Sequence, residues 1–515
     1  MRIGIDVGGT NTDAVLIQDK QVVRSCKRPT TKDVSSGIKA ALSEVLSGQR
    51  ENIDSLQAVM IGTTHFTNAF VERRSLLPVG ILRIALPAAR GTPPMVDWPK
   101  DLRSCIGDAC HQVRGGYQYD GRINAELDEE AVRRAAADFN ARHIRTLAVS
   151  SVFSPINAEM EQRASEILKE EMGDAVLTLS HTIGRIGLLE RENAAIMNAS
   201  LADLSATVVD SFRSALKELN LDVPFYISQN DGTLMSADFV EQYPVLTFAS
   251  GPTNSMRGAA LLSQMKNALV ADIGGTTTDF GILSQGFPRE SSIAVDVGGV
   301  RTNFRMPDIL AMGLGGGSVV REEAGKVTIG PTSVGYRLTE EAMVFGGKTL
   351  TTTDIAVAAG YADIGDKDRV AGLDPTFVEA CVQKIHAMIT EGVDRMKSSA
   401  EPVPVILVGG GAVLVSRDIP GTSEVIIPEE SGVANAIGAS IAQIGGETDR
   451  VFSYEELGRD AALASAKQEA KERAIAAGAL RDTLEVVDIE ELPMAYIPGG
   501  SVRIKVKVAG QLFAQ

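Results

Sequence analysis

A chain of 515 residues is too long for one hydrophobic core, so two or three domains are expected and a small binding module is excluded. Its 50 basic and 66 acidic residues give a formal net charge of −16, which repels phosphate backbones and anionic lipid, although a local pocket for one small anion survives such a field. Nucleic acid and membrane are therefore not expected as partners, and 50 glycines, above the usual ~7%, ask for a specific use.

The amino terminus, MRIGIDVGGT, runs straight into a glycine turn and lacks the basic head and apolar stretch of a secretory leader. Residues 3–7 and 14–17 read as strands joined at that turn. Residues 35–46 follow as a helix with Ile38, Ala41, Leu42 and Val45 on one face and Ser35 or Ser36 as its cap. Buried strands are expected at 57–61 and 79–85, then a proline-rich stretch at 87–99 around the single tryptophan, Trp98. Helical spacing covers 127–141, 159–171 and 188–219, with strands at 146–150 and 176–179 between them. The last of these helices is long enough to cross between domains. A strand at 225–228 precedes a second glycine-centred hairpin that begins at residue 268. Asp374 and Pro375 predict the capped start of a helix to residue 396. A strand at 403–408 and a helix at 433–441 follow, and the tail from 454 reads as an Ala/Lys/Glu-rich helix and two strands. This alternation is that of an α/β protein. Cys26, Cys105, Cys110 and Cys381 are too few and scattered for a disulfide framework, and a reducing cytoplasm is expected; no window of about 18 apolar residues marks a membrane span.

The chain contains an internal repeat. Asp6-Val-Gly-Gly-Thr-Asn-Thr-Asp13 returns as Asp272-Ile-Gly-Gly-Thr-Thr-Thr-Asp279, at a constant offset of 266 residues and with apolar strands running in and out of both copies. Paired glycines let a hairpin backbone approach an anion with no Cβ in the way, and the N–H groups then point at phosphate oxygens. The threonines add hydroxyl donors. An aspartate ahead of the turn can hold hydrated Mg²⁺, which keeps several waters and takes few protein carboxylates. One such turn is equally an ordinary hairpin; two with equal flanks, one per domain, suit a clamp on a nucleoside triphosphate and phosphoryl transfer. A third near-copy, Asp296-Val-Gly-Gly-Val-Arg-Thr-Asn303, lacks the first threonine and reads as a separate turn, with Arg301 a candidate for the cleft. Gly313-Leu-Gly-Gly-Gly-Ser318 and Val408-Gly-Gly-Gly-Ala412 are further glycine runs, the second after an apolar strand and suited to a nucleoside. Neither has Rossmann spacing, and no Walker A sequence is present.

Two phosphate hairpins and a Gly-Gly-Gly turn resemble the superfamily of actin, sugar kinases and chaperone ATPases. With Gly62-Thr-Thr-His-Phe-Thr-Asn-Ala69, Leu189-Glu-Arg-Glu-Asn193, Ser228-Gln-Asn-Asp-Gly232 and Ser250-Gly-Pro252, residues 1–445 resemble more narrowly the ATP-binding A-type subunit of the hydantoinase/oxoprolinase family. The resemblance implies ATP-dependent opening of a cyclic amide: Mg·ATP phosphorylates the amide oxygen and water then attacks. It implies Asp6 and Asp272 as carboxylates holding Mg²⁺ through water, with Gly8, Gly9, Thr10, Asn11, Thr12, Gly274, Gly275, Thr276 and Thr277 around the phosphates. Gly315, Gly316, Gly409, Gly410 and Gly411 would border the rest of the nucleotide. Asp231, in a turn after a strand, is expected as a carboxylate near the transferred phosphate. Thr63, Thr64, His65 and Asn68 could meet the substrate, as could Arg301, although a helix cap explains the first group equally well. Asn11 replaces the aromatic usual after the first Gly-Gly-Thr, and Gly330-Pro-Thr-Ser-Val-Gly-Tyr336 replaces the Gly-Pro-Ala-Cys-Tyr run of larger members, so the substrate is left open.

The expected fold is accordingly α/β, with duplicated actin-like (ribonuclease H-like) ATPase domains, an inserted N-terminal region and a small C-terminal appendage. The expected boundaries are 1–185 for the first hairpin's domain, 186–450 for the second hairpin and adenosine turn, and 451–515 for the appendage. The expected function is that of an ATP-dependent amidohydrolase subunit, with a second subunit as partner and a homo-oligomer left open. A chaperone-like ATPase that reactivates a partner enzyme and a small-molecule kinase are the alternatives. Cys105, Cys110 and His111 have no spacing of a standard zinc knuckle.

Overall fold

The structure is a computed structural model that describes residues 1–9, 11–30, 34–48, 55–291, 294–323, 325–494 and 500–512. The repeat is a repeat of architecture. In the first lobe, strands Gln21–Pro29, Asn11–Gln18, Arg2–Val7, Ala58–Thr63 and Phe225–Ser228 lie side by side in that order. In the second, Phe287–Pro288, Thr278–Ser284, Ala268–Ile273, Val403–Val408 and Thr422–Ile426 do the same. Numbered by appearance, both sheets run 3-2-1-4-5, antiparallel among the first three strands and parallel from the first to the fourth and fifth. The parallel pairings leave the strands buried on both faces, which accounts for the near-continuous apolar runs at 58–61 and 405–408.

The long gap between the fourth and fifth strands of the first lobe holds an inserted unit. Parallel strands Val176–Leu179, Thr146–Ser151, Gly80–Leu86 and Cys110–Arg114 pack under helices Glu129–Ala141 and Glu159–Met172 around their own core of Leu82, Ile84, Phe139, Leu147 and Leu168. Fully buried Arg83 pins this unit to the following helix through Glu192 Oε2, at 2.7 Å from its Nε. The helix expected over 188–219 is two helices, Leu188–Ser200 and Ala202–Glu218. At the break Ser200 Oγ donates to Met197 O at 2.7 Å, a local side-chain bond that competes with the helical ladder. The helix Pro375–Met396 starts as expected, with the Asp374 side chain accepting from Thr376 N.

The segment expected as an appendage continues the first sheet. Strands Gln443–Ser453, Ser501–Gly510 and Glu485–Pro493 extend it beyond Thr233–Ser236 to nine strands, so this sheet draws on chain from all three of the expected ranges. Helix Arg459–Ala476 lies on the extension with Ala462, Ala466, Ala470 and Ala474 inward. Those small residues, repeated every fourth position, let the helix sit against the strand; a Cβ on Gly446 would meet Ala470 O at 2.2 Å.

The two lobes are joined by exchanged helices. Ser250–Ser263, which ends the first copy, packs on the second sheet through Met256 and Ala259 against Val270, Leu283 and Ile406. Ala434–Ile441, which ends the second copy, packs on the first sheet through Ala436 and Ile437 against Val15 and Ile17. The helices cross with backbone on backbone: a Cβ on Gly258 would meet Ala434 O at 2.0 Å, and one on Gly438 would meet Asn254 O at 1.8 Å. Residues 254 and 434, like 258 and 438, differ by 180, so the crossing has the pseudo-two-fold symmetry of the duplication.

Gly438→Ala should therefore separate the helices and lower the unfolding free energy by about 1–3 kcal/mol, the usual cost of overpacking, or prevent folding. Gly372→Ala, in an exposed turn with nothing within 4 Å of the new methyl, should stay within about 0.5 kcal/mol of wild type. Equal midpoints for the two variants in denaturant unfolding would contradict the crossing geometry.

Candidate active site

Both glycine turns have one geometry. In the first, Asp6 stands opposite Asp13 across the antiparallel pair and Gly8 N donates to Asn11 O at 3.0 Å. In the second, Asp272 stands opposite Asp279 and Gly274 N donates to Thr277 O at 2.9 Å. The hairpins face a shared cleft of about 490 Å³, within the ~300–1,000 Å³ typical of ligand sites. Gly8, Gly9, Asn11, Gly274, Gly275, Thr276 and Thr277 line it, as do Asp6 and Asp272.

The ends of the two fourth strands also meet the cleft at matching places. After Ala58–Thr63 come Thr64 and Asn68, whose Nδ2 donates to Thr64 Oγ1 at 3.3 Å; after Val403–Val408 come Gly409, Gly410 and Gly411. Gly409 has φ +86°, and a Cβ there would sit 2.4 Å from Asp272 Oδ1, so the turn closes against the hairpin only with glycine. Gly411 N donates to Ile273 O at 2.8 Å. The run at 313–318 braces the same hairpin from behind: Gly316 N donates to Gly274 O at 3.0 Å, and a Cβ on Gly315 would meet Thr276 N at 2.6 Å. Gly316 lines the cleft and Gly315 packs behind it.

Other expected residues sit elsewhere. Thr10 lies outside the described residues. Thr12 and Thr63 are buried behind the lining, Thr12 Oγ1 at 3.3 Å from Thr30 Oγ1 and Thr63 Oγ1 at 2.6 Å from His65 Nδ1. Asp231 is not in the cleft. It is buried under the sheet extension, bound by Thr233 N at 2.9 Å, Arg305 Nη1 at 2.8 Å and Lys507 Nζ at 3.3 Å, and these partners hold its carboxyl far below the usual range against the desolvation of its site. A carboxylate so occupied serves the ionic junction between sheet extension and second lobe. Arg301 is not among the residues lining the cleft: it is exposed on the small hairpin Val295–Val297 to Val300–Thr302, which turns at Gly298 and Gly299, with Nε 3.6 Å from Glu190 Oε1. His111 pairs with Asp138 at 2.8 Å, and burial pushes the Cys110 thiol up to about 11.

Sequence reasoning gave no role to Asp13 and Asp279, although both stand in the repeat, nor to Lys27, Asn435 and Gly432, which also line the cleft. Lys27 reaches it through strand register, opposite Asp13, with Nζ 2.7 Å from the carboxylate. Among the described residues, four carboxylates and this one lysine are the charged groups on the lining. Burial, then Asp13, push Asp6 up to about 7, and burial with Asp272 does the same to Asp279. Burial also raises Asp13 and Asp272, in both cases against the charge of Lys27.

The arrangement suits a hydrated cation. Among the described residues, Asp6 Oδ1, Asp13 Oδ1 and both amide atoms of Asn254 are buried without a hydrogen-bond partner, and a Cβ on Gly62 would touch Asn254 Nδ2 and Asp6 Oδ1 together, each at 2.5 Å. Among the described residues no group of three or more His, Cys, Asp or Glu converges to chelate a metal directly. Carboxylates at this spacing reach a cation through its water shell, the habit of Mg²⁺.

Comparison with known proteins fits this layout. Residues 2–172 match the hydantoinase/oxoprolinase N-terminal region and residues 191–368 match hydantoinase/oxoprolinase. The chain belongs to the hydantoinase/oxoprolinase family. This member is 26% identical to caprolactamase subunit alpha of Pseudomonas jessenii over 76% of the chain and 58% of that protein. It is 27% identical to acetophenone carboxylase gamma subunit of Aromatoleum aromaticum over 70% of the chain and 53% of that protein. The chain thus spans a little over half the length of these curated relatives. Among solved structures, the ATP-dependent caprolactamase from Pseudomonas jessenii superposes with a TM-score of 0.79 at 20% identity, covering 100% of the chain and 88% of that one. Nucleotide-free acetone carboxylase does so with a TM-score of 0.70 at 18% identity, covering 99% and 88%. The fold of this family member is α/β, a duplicated actin-like ATPase architecture. Among the described residues no helix is long and apolar enough to cross a membrane.

The raised carboxylates have a consequence for stability. Asp6 and Asp279 keep their protons to about pH 7 in the folded chain but lose them near 3.8 when unfolded. The folded state therefore holds more protons between those values, and the stabilisation, complete below about pH 3.8, drains away as pH rises to about 7. Without metal, Asp6→Asn and Asp279→Asn should melt progressively higher than wild type as pH is taken from 4 to 7.5, and Mg²⁺ should narrow the gap. A gap that does not change with pH would show that these carboxyls titrate normally.

Proposed function

We propose that this chain is the ATP-binding subunit of an enzyme that phosphorylates the oxygen of a cyclic amide or related carbonyl compound. The observation that carries the reading is the pair of superposable glycine hairpins, each with its aspartate, facing one another across the cleft. Two such turns offer backbone N–H groups from opposite sides to one polyphosphate, and their acidic floor calls for a divalent cation between protein and phosphate. Family membership supports the reading, as do relatives named as caprolactamase and carboxylase subunits and the ATP dependence of the solved caprolactamase.

In this reading Mg²⁺ is held through water by Asp6 and Asp272 and supplies neutralisation of phosphate charge. Gly8, Gly9, Asn11, Gly274, Gly275, Thr276 and Thr277 cradle the phosphates, Lys27 adds a cation that can turn from Asp13 toward the γ-phosphate, and Gly409–Gly411 with Leu338 and Ile364 border the nucleoside. Thr64 and Asn68 orient the acceptor. The acceptor's carbonyl oxygen forms a bond to the γ-phosphorus as the bond to ADP breaks; a first water adds to the activated carbon, the ring C–N bond breaks as the nitrogen takes a proton, and a second water hydrolyses the acyl phosphate so formed to carboxylate and phosphate. Excluding water until the first transfer is complete falls to closure of the cleft. A second subunit, as in the relatives' names, would complete the chemistry, in the cytoplasm. Carboxylation in place of hydrolysis is the second reading, favoured by the acetophenone and acetone carboxylase relatives.

ATP turnover should be measured with caprolactam, hydantoin, 5-oxoproline and acetone plus bicarbonate, with and without the product of the neighbouring gene. Stimulation by a cyclic amide is expected, and stimulation by ketone and bicarbonate alone would move the assignment to the second reading. Asp6→Ala and Asp272→Ala should each cost about 10²-fold or more in turnover, the scale of losing a group that stabilises transferred charge. Wild-type turnover in both variants, or ATP turnover that responds only to a protein client, would sink the proposal.

A further inference from the structure

Each exchanged helix is tied, at its start or just before it, to the turn that ends a fourth strand. Ser250 Oγ donates to Thr63 O at 3.3 Å, in the turn that ends the fourth strand of the first lobe. In the second lobe, Ser431 O accepts from Gly409 N at 2.9 Å, in the turn that ends its fourth strand. One helical turn beyond Ser431, the second segment reaches the strand-end aspartate of the first copy: Asn435 Nδ2 donates to Asp6 Oδ2 at 3.3 Å. The corresponding residue of the first segment, Ser255, offset from Asn435 by the same 180 residues that relate the glycine crossing, is fully buried, and its Oγ has no hydrogen-bond partner among the described residues.

The consequence for Asp6 is geometric. Rotation about the terminal bond of an aspartate is soft and nearly two-fold, so a single donor decides which oxygen points where. Asn435 occupies Oδ2. The other oxygen, Oδ1, is left buried and, among the described residues, unpartnered. We propose that Asn435 is a positioning residue: it fixes the carboxylate of the opposite copy's hairpin so that one oxygen is held and the other is presented to the hydrated cation. Because the segment that carries Asn435 is also bonded, through Ser431, to the Gly409 turn that lines the cleft, the carboxylate of the first lobe is set by the segment that closes the second. The inference rests on the Mg·ATP reading above and assigns a residue that the motif repeat does not contain.

The test reads the metal directly. Mn²⁺ binding is followed by electron paramagnetic resonance in the presence of a non-hydrolysable ATP analogue, while affinity for the analogue alone is measured by calorimetry in EDTA. Asn435→Ala should weaken Mn²⁺ by about 10- to 100-fold, the usual effect of removing a group that orients a metal-binding residue, with metal-free analogue affinity unchanged. Its kcat should fall while KM for ATP holds. Asn435→Asp, equal in size but without the donor, should lose at least as much, and Asn435→Ser, which keeps a short donor, should retain more of the affinity than either. Mn²⁺ affinity within twofold of wild type in both Asn435→Ala and Asn435→Asp would overturn the positioning role and leave the ATP reading standing. An equal loss of metal-free analogue affinity would overturn it in favour of a purely structural role. A wild-type protein that binds neither analogue nor Mn²⁺ would remove both readings together.

Discussion

Two helices can cross with backbone against backbone only where no Cβ stands between them, and that crossing is the constraint on which the rest of this molecule depends. Gly258 over Ala434 and Gly438 over Asn254 bring the ends of the two copies together. Each helix then lies on the sheet of the other copy, which puts both first strands, and therefore both glycine turns, on one cleft. Separate the helices by a methyl group and the hairpins no longer share a floor. The stability of the crossing and the geometry of the site are thus one property, carried by residues that never touch a ligand.

The cleft itself is a crowded electrostatic object. Among the described residues, Asp6, Asp13, Asp272 and Asp279 meet with one lysine among them, and burial with mutual repulsion pushes Asp6 and Asp279 up to about 7. Packing of apolar residues around the strands is what tolerates this, since desolvated carboxylates left unpaired are costly. The cost is relieved by protons on Asp6 and Asp279 and, in the proposed function, by a hydrated cation. The duplication is also broken in an informative way: Asp13 is tied to Lys27, whereas Asp279 lies opposite Ala311 with no cation on its neighbouring strand. One side of the cleft is thereby neutralised by the chain and the other is left to what binds.

Much of this was legible from the sequence because the repeat is strict. A constant offset across Asp6, Gly8, Gly9 and Asp13 predicts two equal hairpins, and both have the same register and the same turn bond. The capped helix from Pro375 and the strand before Gly409 were likewise readable, since local chemistry sets them. What escaped is what register and long-range pairing decide. Lys27 enters the cleft through its place opposite Asp13, Asn435 through a helix exchange between lobes, and neither position carries a motif. Asp231 misled for the reverse reason: its turn looks like a site, but Arg305 and Lys507 arrive from 74 and 276 residues away to occupy it. The tail looked like an appendage because its helix is polar and alanine-rich; alanines at every fourth position are in fact what lets that helix lie on the extended first sheet.

The central claim is that both hairpins address one nucleotide, and a structure of the protein with a non-hydrolysable ATP analogue and Mg²⁺ tests it most directly. The account predicts β- and γ-phosphate oxygens within hydrogen-bonding distance of backbone N–H groups of both turns, at 8–11 and at 274–277, with the metal one water away from Asp6 and Asp272. An analogue bound outside the cleft, or held by one hairpin with the other left free, would contradict it.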